Sequence, residues 1–104
     1  MANTLELIIE KYDDIDFLKA NGLDDAVIGV DEVSYRLIYS IEKCIEIISK
    51  RQEVTEDDLD EYDKESGMTI EDKKYELGSE DFYFNTLGAY VGEKTPIFTY
   101  TNFE

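Results

Sequence analysis

A chain of 104 residues, 42% of them hydrophobic, carries enough apolar side chains for one compact core and is short for two, so a single domain is expected. Against 26 acidic residues stand only 10 basic ones, and the resulting net charge of −16 repels nucleic acid and anionic membrane while favouring basic partners. One cysteine, Cys44, excludes an internal disulfide and points to a reducing, cytoplasmic setting.

The first residues, MANTLELIIEKYDD, lack a basic leader and an unbroken apolar stretch. No run approaches the roughly 18 apolar residues that argue for a membrane helix, so neither export nor membrane spanning is expected. Leu5, Ile8, Ile9 and Tyr12 recur at helical spacing behind Thr4, which reads as the N-cap. This helix either continues through Ile15 and Leu18 to the Asn21-Gly22 pair or breaks near Asp13-Asp14. Residues 26–30 and 35–39 are apolar runs around a polar turn, the pattern of two antiparallel strands.

Ser40 then precedes Ile41, Cys44, Ile45 and Ile48, the clearest amphipathic helix in the chain. Ile45 and Ile48 are expected to be buried against the sheet. Cys44 lies on the same stripe, and with no histidine to lower its pKa it reads as a small core hydrophobe.

From Glu53 to Glu76 acidic residues crowd the chain and large apolar ones become scarce. Thr55 with Asp58, and Thr69 with Asp72, have capping-box spacing, and Gly67 separates the two helix starts. Asp58 and Asp60 begin like a calcium loop, but Asp63 stands where its glycine is needed and Thr69 where its last glutamate is needed. No metal or other cofactor is therefore predicted. Further on, Ser79 reads as an N-cap, Phe82, Tyr83 and Leu87 as one helical face, Gly88 and Gly92 as the stop, and residues 96–100 as a closing strand.

Catalysis has little support: there is no histidine, nucleophile elbow, zinc pattern or phosphate-cradling glycine loop, and among so many carboxylates a pair carries no information. An enzyme would need a pocket of carboxylates with displaced pKa values. The acidic excursion has a sharper use. On one helix, Glu56 and Asp60 would share a stripe, Asp57 and Glu61 the adjacent one, and Asp63 would extend the strip, with Leu59 and Tyr62 holding the other side to the body. Such a strip can imitate the phosphate path of a duplex, which carries a charge about every 1.7 Å along its axis. The plainer alternative is a solvated face that only confers solubility. Tyr90, in the glycine-bracketed tail, is the next candidate contact.

Three segments carry a resemblance: YRLIYSIEKCIEII at residues 35–48, Gly67-Met68-Thr69, and FNTLGAYVGEKTPIF at residues 84–98. Together they resemble a family of small acidic proteins of bacteriophages and prophages that has no assigned activity. In that family's usual form the Gly-Met-Thr helix runs directly into the Phe-Asn tail, whereas this chain inserts residues between them and lengthens the acidic stretch before Gly67. The resemblance implies a phage origin and supplies no catalytic or binding residues.

The expected fold is α+β, with a small three-stranded antiparallel sheet, helices packed on one of its faces, and an acidic helical excursion. The expected function is that of a phage-encoded acidic inhibitor or decoy in the host cytoplasm, of the anti-restriction or anti-CRISPR class. Its partner would be a basic, nucleic-acid-handling host or defence protein, with no direct binding of nucleic acid. The alternative is an accessory structural or regulatory phage protein acting through an apolar interface.

Overall fold

The computed structural model describes residues 3–88 and 92–103. Helix α1 spans Thr4–Lys11 and buries Leu5 and Ile8, which lie one turn apart. Its N-cap is Asn3 rather than Thr4: the Asn3 Oδ1 accepts the Glu6 N–H at 2.8 Å. Of the two sequence readings, the early break is the one adopted, because the Tyr12 N–H still bonds the Ile8 carbonyl but Tyr12 itself leaves helical geometry (φ −116°, ψ 57°).

Strand β1, Val27–Val30, and strand β2, Leu37–Ser40, pair antiparallel with an irregular register between Val27 and Gly29. The second strand starts later than its apolar run suggests. Asp31 builds the turn by accepting the Val33 N–H at 2.9 Å, and Tyr35 closes it in the left-handed region at φ 55°. A residue held there cannot extend a strand, so Tyr35 belongs to the turn.

Strand β3, Ile97–Thr99, lies on the other side of β2 and runs parallel to it, giving the order β1-β2-β3. The sheet is therefore mixed, not antiparallel as expected from sequence. The reason is topological: parallel neighbours need a long crossover, and here everything between Ser40 and Ile97 supplies one.

The crossover begins with α2, Ile41–Lys50, capped by Ser40, whose Oγ accepts the Lys43 N–H at 3.3 Å. Its stripe of Ile41, Cys44, Ile45 and Ile48 is buried in one cluster with Leu37 and Tyr39 of β2. Burial also pushes the Cys44 thiol up to about 12, far from a thiolate at neutral pH. After the acidic excursion, which contains the short helix α3, Glu61–Glu65, helix α4, Ile70–Asp81, packs across α2 at a point that demands glycine. A Cβ on Gly78 would lie 2.8 Å from the Ser49 Cα and closer still to its Oγ.

Ser79 is thus one residue past a packing contact inside α4 and caps nothing. The chain winds on from Asp81 without a break as a π-helical turn, Phe82–Leu87. The expected apolar face of Phe82, Tyr83 and Leu87 does not form: Phe82 is fully buried, while Tyr83 and Leu87 are exposed. Phe82 meets Phe98 edge to face at 5.5 Å, and Phe98 meets Tyr39 at 5.4 Å. This aromatic row joins the π-helical turn to the sheet and closes the core, as offset and edge contacts between rings favour.

Candidate acidic interface

Few apolar side chains hold residues 53–66, so local hydrogen bonds shape their backbone. A 3₁₀ turn, Glu56–Asp58, comes first, with the Asp58 carboxylate accepting the Thr55 N–H at 2.8 Å and its hydroxyl at 3.3 Å. Leu59 follows in extended geometry (φ −92°, ψ 120°), and its side chain, 9% exposed, is the one buried apolar side chain of the segment. Asp60 then caps the short helix α3, Glu61–Glu65, accepting the Asp63 N–H at 2.8 Å while Asp63 accepts the Asp60 N–H at 3.3 Å. Gly67, at φ 81°, ends that helix. A further box, between Thr69 and Asp72, starts α4 with bonds of 3.0 and 3.1 Å.

The single acidic helix expected over this region is therefore two short pieces joined by an extended Leu59. The Glu56/Asp60 and Asp57/Glu61 stripes do not form as turns of one helix, since Leu59 and Asp60 both sit outside helical φ and ψ. Each capping box begins a new element, which is why the run cannot wind through.

Two of the proposed positions also change role. Asp63 is only 8% exposed: its carboxylate is taken up by the cap and by Lys73, whose Nζ is 3.7 Å away. Lys73 in turn approaches Glu76 at 3.9 Å, so α4 supplies the cation that lets an aspartate be buried here. Asp63 is a structural residue and leaves the strip. Tyr62, expected to hold the segment to the body, is instead 77% exposed, whereas Leu59 is buried.

Glu56, Asp57, Asp60 and Glu61 are all exposed. Asp60 spends one oxygen on its cap, and a carboxylate has room for further donors on the other. Glu56 also borders a concavity of about 670 Å³ shared with Leu59, Lys64, Met68, Ile70 and Glu71, so an apolar floor is flanked by two carboxylates and one ammonium. Tyr90 lies outside the described residues.

The Asp60/Asp63 box was missed in the sequence, although its spacing is that of the two boxes identified there. Acceptance of Asp as well as Thr at the first position would have found it.

Elsewhere, two carboxyl groups are held below their ordinary range, each by a hydrogen bond that shapes the chain. The Val33 N–H does this to Asp31 in the β-turn, and the Thr101 hydroxyl does it to Glu42, tying the C-terminal segment to the start of α2. Among the described residues no group of three or more His, Cys, Asp or Glu is placed to hold a metal ion, and no helix is long and apolar enough to cross a membrane. No family model matches the chain, and neither a curated protein nor a solved structure matches it.

Proposed function

We propose that this chain is a phage-encoded acidic inhibitor, of the anti-restriction or anti-CRISPR class, that occupies the positively charged groove of a basic, nucleic-acid-handling host or defence protein. The observation that carries the reading is the exposure of Glu56, Asp57, Asp60 and Glu61 on a segment fastened to α4 by the Asp63–Lys73 pair. A segment that merely solubilised the protein would need no such fastening. Here the acidic side chains are carried on a backbone ordered by successive capping boxes, which lowers the entropy lost when a partner engages them.

The net charge of −16 supplies long-range attraction to a basic groove and disfavours free nucleic acid. Resemblance of residues 35–48, 67–69 and 84–98 to small acidic phage proteins supports the origin. The four carboxylates act as phosphate surrogates: each accepts hydrogen bonds from Arg or Lys side chains that otherwise hold a duplex backbone.

The test is capture of the partner from host cells expressing the tagged chain, identified by mass spectrometry and repeated across a salt series. The expected partner is a basic nucleic-acid-binding protein, released steeply as ionic strength rises through the range where the Debye length falls from about 10 Å to about 3 Å. A partner retained unchanged through that range would replace the electrostatic reading with an apolar one.

A further inference from the structure

We infer that the concave surface where α4 passes into the π-helical turn is a docking site for an arginine side chain on a basic segment of a partner protein. This inference is independent of the acidic excursion, since it concerns different residues on a different element.

Phe84 is 86% exposed and Tyr83 is 41% exposed, although they directly follow the fully buried Phe82. Their exposure follows from the winding. Phe82 turns inward to Phe98, and the π-helical stretch Phe82–Leu87 carries the next two rings outward. Such windings are rare and recur at functional sites. Tyr83 is not loose: its ring is braced edge to face by Phe82 at 5.3 Å.

These rings share a concavity of about 560 Å³ with Leu77, Glu80, Asp81 and Gln52. Its lining combines aromatic and aliphatic surface with two carboxylates and includes no cation. The Asp81 carboxylate is oriented by Asn85, whose Nδ2 donates to Oδ1 at 2.8 Å. That leaves the other oxygen able to accept from a ligand.

The occupant follows from this chemistry. A second copy of the chain is disfavoured, because it would bring another net charge of −16 against Glu80 and Asp81. An anionic membrane or nucleic acid is disfavoured for the same reason. A purely apolar segment would leave the two carboxylates facing it without donors, at a desolvation cost. A guanidinium meets every feature at once: its planar face stacks on aromatic rings, its stem covers aliphatic surface, and its forked donors reach a carboxylate. Lysine offers the charge without the flat face or the fork.

The test is an NMR titration of the intact chain with a short peptide of alternating leucine and arginine, alongside the same peptide with lysine or uncharged citrulline in place of arginine. The arginine peptide is expected to shift the Phe84 and Tyr83 ring resonances and the Glu80 and Asp81 signals. It should bind about threefold or more tighter than the lysine peptide, with the citrulline peptide weakest. Phe84→Ala, at an exposed position, should weaken the arginine peptide by about tenfold while the spectrum of the core stays unchanged. A chain altered at Glu56, Asp57, Asp60 and Glu61 should retain the Phe84 response. Equal binding of the arginine and lysine peptides, no response at millimolar peptide, an unaffected Phe84→Ala, or shifts centred on Glu56 to Glu61 would each overturn the assignment.

Discussion

Helix α2 and the excursion at residues 53–66 both begin with a capping side chain and both are rich in charge, yet they are ordered by different forces. Of the ten residues in α2, Ile41, Cys44, Ile45, Ile48 and Ser49 are buried, so the core dictates where the helix lies and which way it faces. In the excursion only Leu59 and Asp63 are buried, and the path of the backbone is set by reciprocal bonds between side chains and main chain. The difference teaches where change is tolerated. A surface held by caps can exchange the outward side chains that do not themselves cap, such as Glu56, Asp57 and Glu61, because none of them contributes to the core.

The largest effect should come from the α2 side of this comparison. Ile48→Ala is expected to cost about 2–5 kcal/mol in denaturant unfolding, by loss of apolar burial and the cavity left behind. A cost below about 1 kcal/mol would mean that Ile48 does not lie in the core cluster.

Next is the crossing of α2 and α4. Gly78→Ala should destabilise by about 1–3 kcal/mol, although alanine is the better helix former, because the new methyl meets Ser49 backbone that cannot move without shifting α2. If the variant were instead more stable by the usual glycine-to-alanine gain, the two helices would have to sit further apart than described.

On the excursion the expected costs are smaller and depend on which carboxylate is altered. Asp60→Ala removes a cap and should cost about 1 kcal/mol, whereas Asp60→Asn keeps the acceptor and should be nearly neutral. Glu61→Gln should stay within about 0.5 kcal/mol of the parent. Thermal unfolding of the three variants side by side decides this. Equal behaviour of the two Asp60 variants would show that the cap does not order the segment.

The contrast also explains what could be read from the sequence. The α2 stripe repeats with helical period and includes no polar residue at an inward position until Ser49, so burial of Ile45 and Ile48 was legible, as was the role of Cys44. The capping boxes at Thr55 and Thr69 were legible too, since they depend on residues three apart.

What was not legible depends on partners distant in sequence. The direction of β3 beside β2 is decided by the route of the whole crossover, and Ile97, Phe98 and Thr99 would read alike in either orientation. The burial of Asp63 depends on Lys73 from α4, which no local pattern announces. Ser79 looks like an N-cap only if the close approach of its neighbour Gly78 to Ser49 is unknown. In the acidic site, exposure of Glu56, Asp57, Asp60 and Glu61 followed from composition. The geometry did not, because the Asp60 box interrupts the helix that would have aligned them.

The central claim is that those four exposed carboxylates engage a basic groove, and one comparison of affinities tests it most directly. The variant Glu56→Gln, Asp57→Asn, Asp60→Asn, Glu61→Gln preserves side-chain size and the Asp60 cap while removing four negative charges. Its affinity for the captured partner, measured by calorimetry beside the parent, should fall by about tenfold or more, with the unfolding temperature level or raised as like-charge repulsion is relieved. Undiminished affinity in a folded variant would contradict the account and move the binding surface away from the excursion.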